Sequence, residues 1–298
     1  MIRLDHVSKT YRVGAFGRGR LTAVRDVSFQ LQPGEVLSLI GESGSGKSTI
    51  GRMILRLLDP STGSITYDDD DVRRLRGGAL KEYYRHVQGV FQDPFSSYNP
   101  IFKADRIFAL VHAEFFPHVG ADEWRTRVRD TLASVSLNAE DVLDKFPHQL
   151  SGGQLQRLLV ARALLLEIRY LVADEIISML DASTRIDVLN LLADLKARGL
   201  GILFITHDLS LGNYISDSTV ILRHGCIVEM GATEKVFGDP RHPYTRNLLA
   251  SVPLLHEKWR GGGERTNGAP RPLEPVHPYR LVPVEDDHLV AAGDGGRA

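Results

Sequence analysis

The sequence predicts an α/β fold, a mostly parallel sheet covered by helices on both faces, with an antiparallel β unit and a helical insertion built onto it. Three observations carry this prediction. Short, mostly apolar runs at residues 35–40, 170–173 and 201–206 read as strands buried on both faces. Helical spacing of apolar residues alternates with those runs, the pattern of a parallel sheet. Between about Asp93 and Leu155 the texture changes, and charges, aromatics and helix formers mix without any β-like run.

Taken in order, Val27, Phe29 and Leu31 alternate with polar residues before a Pro33-Gly34 turn and predict an antiparallel strand. The run EVLSLI ends in Gly41 and predicts a buried strand. Ile50, Met53, Ile54, Leu57 and Leu58 fall at helical spacing, and Asp59-Pro60 is expected to stop that helix. A turn at residues 61–63 leads into a strand at 64–67, and the acidic run at 68–71 reads as a solvated loop tip. Beyond the insertion, a strand at 170–173 ends in Asp174-Glu175. A helix carrying Val188, Leu191, Leu192 and Leu195 ends near Gly199. The strand GILFIT follows, and residues 219–222 and 226–229, joined through His224-Gly225, predict a hairpin at the sheet edge. Gly and Pro accumulate past Leu255, as in a linker. The apolar patch at 281–284 is expected to fold back.

Composition narrows the function classes. With 298 residues the chain can bury a large core, in one large domain or about two. A net charge of −1 gives no basic excess and argues against nucleic acid as a partner. The single cysteine, Cys226, excludes a disulfide framework or an iron–sulfur site built within the chain, which fits a reducing compartment. The N-terminus lacks an apolar signal core, and no apolar stretch is long enough to be expected to span a membrane.

The strongest motif is Gly41-Glu42-Ser43-Gly44-Ser45-Gly46-Lys47-Ser48, the phosphate-loop pattern G-x-x-x-x-G-K-[ST], placed between a predicted strand and a predicted helix. Glycines open backbone angles closed to other residues, so successive N–H groups can converge on a polyphosphate at the positive end of the helix. Lys47 is expected against the β- and γ-phosphates and the Ser48 hydroxyl on Mg²⁺, with Thr49 next in the helix. Asp174 ends a predicted buried strand beside this loop, where it can hold Mg²⁺ through water, and Glu175 is placed to polarise an attacking water as a general base.

The segment Leu150-Ser151-Gly152-Gly153-Gln154-Leu155-Gln156-Arg157 resembles the signature of ABC ATPases almost residue for residue. The resemblance extends, in the family's order, to Tyr11 in SKTYRV, Gln92 in VFQDP, residues 178–181 and His207 in ITHD, and it covers about residues 1–255. It implies a P-loop NTPase core formed by residues 1–92 and 156–235, holding the antiparallel β subdomain. An ABC helical subdomain is implied at 93–155 and a C-terminal extension at 236–298. It also implies roles: Tyr11 stacks on adenine, Gln92 touches Mg²⁺ or the lytic water, and His207 contacts the γ-phosphate. Ser151, Gly152, Gly153 and Gln154 are implied to close over the ATP of a second ATPase subunit, with Asp181 contributing at that interface. Lys47, Gln92, Glu175 and His207 form the implied catalytic set, with Ser48, Gln92 and Asp174 at the metal.

One departure stands out. The family usually reads Asp-Glu-Pro-Thr-Ser, whereas this chain reads Asp174-Glu175-Ile176-Ile177-Ser178, so an apolar turn replaces a rigid polar one. The segment VQGVFQDPFSSYNP and the tail GDPRHPYTRNLLASVPLL resemble the oligopeptide and dipeptide importer branch, through Asn99-Pro100 and residues 242–245. That branch implies membrane permease subunits, indirectly an extracytoplasmic solute-binding protein, a heterodimer of ATPases in preference to a homodimer, and a peripheral place on the cytoplasmic face of the membrane. It also contains importers of oligosaccharides and nickel. A soluble, non-transport ABC ATPase is the reading from a different class.

Overall fold

The computed structural model of the protein describes residues 1–13, 19–251 and 279–292. The linker expected past Leu255 lies outside the described residues. The strands are β1 (Ile2–Val13), β2 (Gly19–Leu31), β3 (Val36–Ile40), β4 (Thr62–Tyr67), β5 (Asp70–Asp71), β6 (Val87–Val90), β7 (Tyr170–Asp174), β8 (Gly201–Thr206), β9 (Ser218–Arg223), β10 (Cys226–Ala232), β11 (Leu281–Glu285) and β12 (His288–Ala291). The first helices are α1 (Lys47–Ile54), α2 (Gly77–His86), α3 (Arg106–Phe115), α4 (Ala121–Ser134) and α5 (Ala139–Val142). The others are α6 (Gly152–Leu164), α7 (Ala182–Ala197), α8 (Leu209–Ile215), α9 (Thr233–Gly238) and α10 (Pro243–Ala250).

Every residue of β3, β7 and β8 is buried, which is what unbroken apolar runs require of central strands. They lie in an eight-stranded sheet of order β11-β12-β10-β9-β3-β8-β7-β6. Pairing is parallel from β9 through β3, β8 and β7 to β6. It is antiparallel across β9, β10, β12 and β11. A second, four-stranded antiparallel sheet has the order β2-β1-β4-β5. One core cluster joins the helical insertion and the inner sides of α6 and α7 to the main sheet, through residues such as Leu155, Leu159, Leu192 and Phe204. Another unites α1 with both sheets through Ile50, Met53, Leu31 and Ile205. Helices thus cover the main sheet as the alternation of patterns predicts.

The structure departs from the sequence expectations in several places. α1 ends at Ile54, not at Asp59-Pro60, because Arg56 turns into the left-handed region at φ 54°. Leu57 consequently points outward, 57% exposed. The β9–β10 hairpin is not the sheet edge: β9 pairs with β3, and β12 and β11 extend the sheet beyond β10. The apolar patch at 281–284 does fold back, as β11. Of the acidic run, Asp68 and Asp69 form a left-handed turn, while Asp71 accepts the Arg73 N–H and caps a short 3-10 turn. α6 runs across position 155/156, so the signature segment and the helix behind it are one continuous rod.

Candidate active site

Parallel strands end on the same side of a sheet, so β3, β7 and β8 deliver the residues that follow them to one crevice. Those residues are Gly41, Glu175 and His207. The loop from β3 to α1 turns on Gly44 at φ 79° and Gly46 at φ 104°. A Cβ on Gly46 would sit 2.4 Å from the Ala23 carbonyl oxygen, and one on Gly41 2.2 Å from that of Leu222. Only glycine fits either place. Gly46 caps α1 without a side-chain acceptor, so the first-turn N–H groups have no local side-chain partner and suit an anion.

Lys47 is the first residue of α1 and is only 4% exposed. Its Nζ donates to the carbonyl oxygens of Gly41 (2.7 Å) and Glu42 (2.9 Å). Burial holds its pKa below the ordinary lysine range, against the charges of Glu175, Asp174 and Glu42. The Ser45 Oγ is buried with no hydrogen-bond partner, a polar atom facing a loop shaped for phosphate. Glu42, Ser43 and Gly44 are exposed, and Ser48 and Thr49 half-buried.

The Ser48 hydroxyl donates to Asp174 Oδ1 at 3.1 Å. Burial raises the Asp174 pKa, with Glu175 pushing the same way and the Ser48 bond opposing. Glu175 leaves β7 in the left-handed region at φ 51°, held by its N–H donating to the Ile205 carbonyl at 2.9 Å. Its Oε1 lies 3.2 Å from His207 Nδ1. Lys47, Ser48, Asp174, Glu175 and His207 therefore converge. Among the described residues, no group of three or more His, Cys, Asp or Glu side chains converges to hold a metal. The hard donors here are one carboxylate and one hydroxyl, a set that fits Mg²⁺ bound largely through phosphate oxygens and water.

A buried carboxylate with a raised pKa disfavours the fold above its ordinary titration range. The Asp174→Asn variant is accordingly expected to melt about 1–4 °C higher than wild type near neutral pH in the absence of nucleotide. The gap should close as pH falls through the raised pKa, because protonation of Asp174 then relieves the same penalty. Thermal unfolding at several pH values checks this; a lower melting temperature for the variant at neutral pH would contradict it.

The remaining predicted residues lie elsewhere. Gln92 is exposed, two residues past the end of β6. Tyr11 is half-buried on β1, opposite Leu21, with Lys9 Nζ 5.4 Å from its ring centre. Ser151 caps α6: its Oγ accepts the Gln154 N–H at 3.2 Å, while Gln154 Oε1 accepts the Ser151 N–H at 2.9 Å. Gly153 approaches α7 so closely that a Cβ would meet the Thr184 methyl at 2.7 Å. Among the described residues, no hydrogen bond joins Ser151, Gly152, Gly153 or Gln154 to the phosphate loop of the same chain. Asp181 caps α7, accepting from Ser183 Oγ (2.6 Å), Thr184 Oγ1 (2.8 Å) and Thr184 N (3.0 Å). These bonds, the one from Ser183 first, hold its carboxyl well below the usual range.

The apolar turn between the two acids is ordered by other means. Ile176 and Ile177 are buried in the main core. Ser178 closes the turn, its N–H and its hydroxyl both donating to the Glu175 carbonyl. Arg185 then donates to the carbonyls of Leu180 (2.8 Å) and Ser178 (3.2 Å). Sequence reasoning missed Arg185, although its place four residues after the capping Asp181, on the first turn of α7, is a local signal.

A phosphate loop with an adjoining acidic pair at the ends of parallel strands defines a nucleotide-hydrolysing cassette. The family model described as ABC transporter matches residues 24–178. The model described as oligopeptide/dipeptide transporter, C-terminal region, matches residues 228–278. The oligopeptide transport ATP-binding protein OppF of Streptococcus pyogenes serotype M1 is 42% identical over 244 residues, covering 80% of this chain and 79% of its own. Among solved structures, a dimeric ATP-binding cassette in a post-hydrolysis state, bound to ADP and Pi, superposes with a TM-score of 0.70 at 28% identity. The match covers 78% of this chain and 99% of that one. The cbiO1 protein of Clostridium perfringens, part of the ABC transporter complex cbiONQ, gives a TM-score of 0.68 at 26% identity, covering 80% and 90% of the two chains. This chain belongs to the ABC transporter family, as an ATP-hydrolysing subunit.

Proposed function

We propose that the chain powers import of peptides, binding MgATP in its phosphate loop and hydrolysing it when a second ATPase subunit closes over the site. The observation that carries this reading is the split of the site. The phosphate loop, Asp174, Glu175 and His207 converge, while Ser151, Gly152 and Gly153 stand apart from them on the N-terminus of α6. A helix start with a hydroxyl and two glycines suits an anion, and among the described residues no hydrogen bond links it to the phosphate loop of its own chain.

In this account Lys47 leaves the Gly41 and Glu42 carbonyls for the phosphates, which replaces two neutral acceptors by charged ones. Ser48 and Asp174, with Gln92 from the insertion side, would hold Mg²⁺, which would supply charge neutralisation at the phosphates. Glu175 accepts the proton of the attacking water, and His207, already 3.2 Å from its carboxylate, keeps that side chain aimed and contacts the γ-phosphate. Tyr11 offers its ring to adenine. Asp181, engaged in capping α7, acts by fixing the turn that meets the mate. Hydrolysis removes the phosphate bridging the two subunits and with it the bias toward the closed state.

The partners follow from the same surface. Phe95, Ile101 and Phe102 of the insertion are exposed apolar residues, 49%, 76% and 39% accessible, and Phe95 lies 3.9 Å from the position of a Cβ on Gly152. That patch suits docking of a membrane permease close to the signature helix. No described helix is long and apolar enough to cross a membrane; attachment at the cytoplasmic face would run through such a permease. The relative OppF carries oligopeptide transport in its name, and the matching C-terminal region supports a peptide cargo delivered by a solute-binding protein, with two different ATPase chains in the assembly. Reconstitution with cognate permease and binding-protein chains should give ATPase activity that rises when peptide-loaded binding protein is added. Activity indifferent to the permease, or salt-sensitive binding to nucleic acid, would overturn the reading.

A further inference from the structure

The C-terminal region reaches the nucleotide site through a short relay of bonds that the mechanism above does not use. Glu229 on β10 is fully buried, and its carboxylate serves three donors. Oε1 accepts the Arg241 N–H at 2.7 Å and the ring of His288 at 2.8 Å; Oε2 accepts the His242 N–H at 3.0 Å. His288 lies on β12 and is itself 1% exposed. A buried carboxylate is costly unless its acceptors are filled, so these three bonds fix the chain around it. The 241–242 backbone is therefore pinned to β10 and β12 at one point. His242 then caps α10, its Nδ1 accepting the Tyr244 N–H at 3.0 Å.

Tyr244 is what this anchorage presents. Its ring packs in the core cluster with Ile40 and Ile221, and Arg223 lies over its face at 5.1 Å. Its hydroxyl lies 3.4 Å from the backbone nitrogen of Glu42 and accepts that N–H. Glu42 is the pivot of the phosphate loop, since on the other side of its Cα its carbonyl accepts both the Ser45 N–H (3.1 Å) and Lys47 Nζ (2.9 Å). Among the described residues, Tyr244 supplies the one side-chain bond from outside the loop to a backbone amide of residues 41–47. The loop's exposed stretch, Glu42 to Gly44, is thus tethered from a residue 202 positions away.

We propose that Tyr244 is a positioning residue for the phosphate loop, and that the buried Glu229–His288 contact makes this positioning depend on the docked C-terminal hairpin. A loop whose pivot is held before ATP arrives loses less freedom on binding, so the tether acts on affinity for both ATP and ADP and not on the chemical step. The C-terminal region would then set nucleotide affinity, a lever open to anything that binds or displaces the hairpin.

The inference rests on the ATP site proposed above, and the two fail separately. Titration of the purified full chain with fluorescent ATP and ADP analogues tests both. Tyr244→Phe keeps the ring and removes only the hydroxyl; it should weaken both nucleotides about three- to ten-fold, the range of one net hydrogen bond. In the assembled transporter it should raise KM for ATP by a similar factor, leave kcat within about twofold, and leave the melting temperature of the chain within about 2 °C of wild type. His288→Ala should weaken nucleotide binding as well, and the double variant should be no weaker than the worse single one, because both act through one relay. Unchanged affinity in Tyr244→Phe, with wild type binding normally, overturns the role of Tyr244. A His288→Ala chain that melts earlier yet binds ATP as wild type does overturns the link to the hairpin. A wild-type chain that fails to bind ATP would instead overturn the underlying site.

Discussion

Replacing Glu175 by Gln is expected to leave ATP binding intact and to cut turnover on the order of 10²–10⁴-fold, the range attributed to a positioned general base. The carboxylate is 20% exposed and fixed from two sides, by the left-handed backbone tied to Ile205 and by the 3.2 Å contact to His207. The amide keeps the size and a hydrogen-bonding oxygen but cannot take a proton. The backbone at φ 51° is no obstacle, because residues with amide side chains tolerate that region nearly as well as glutamate does. Since hydrolysis is what opens the closed pair in this account, the variant should also accumulate as an ATP-loaded assembly. Steady-state ATPase measurement together with size analysis in the presence of ATP checks both; wild-type turnover would remove Glu175 from the role of base.

Lys47→Ala is expected to weaken ATP binding on the order of 10²-fold or more and to abolish measurable turnover. The lysine is buried, and among the described residues the loop carbonyls of Gly41 and Glu42 accept its protons before phosphate does. Each charge-assisted bond to a phosphate contributes about 1.5–3 kcal/mol, so losing one or two suffices for that effect. The fold should survive, because burial already opposes the charge on Lys47, as its lowered pKa indicates. Nucleotide titration and melting curves separate the two effects. A variant that binds ATP as tightly as wild type would contradict the placement of the ammonium against the phosphates.

These results depend on residues that differ greatly in how visible they are in the sequence. The phosphate loop was legible because it is contiguous: its glycines, lysine and serine act within one turn between two strongly patterned elements. Asp174 and Glu175 were legible through the end of a fully buried strand. The parallel sheet followed from runs whose apolar character persists at every position. What local pattern could not give is contact at a distance. The early end of α1 depends on the left-handed turn at Arg56, a non-glycine residue that carries no such signal. The true edge of the sheet is supplied by β11 and β12, some fifty residues beyond β10 in the chain. The bond from Glu42 to Tyr244 spans 202 positions and involves a tyrosine whose local setting reads simply as a helix start. In one dimension the Ile176-Ile177 departure replaces a rigid polar turn by an apolar one. In three, both side chains enter the core, and Ser178 and Arg185 fix the turn.

The central claim is that the two halves of one ATP site come from different chains. Structure determination of the assembled transporter carrying Glu175→Gln, loaded with MgATP, measures this directly. The account predicts γ-phosphate oxygens of the partner-bound nucleotide within about 3.2 Å of Ser151 Oγ or of the N–H groups at Gly152 and Gly153. Signature residues directed into solvent, or against the nucleotide of their own chain, would contradict it.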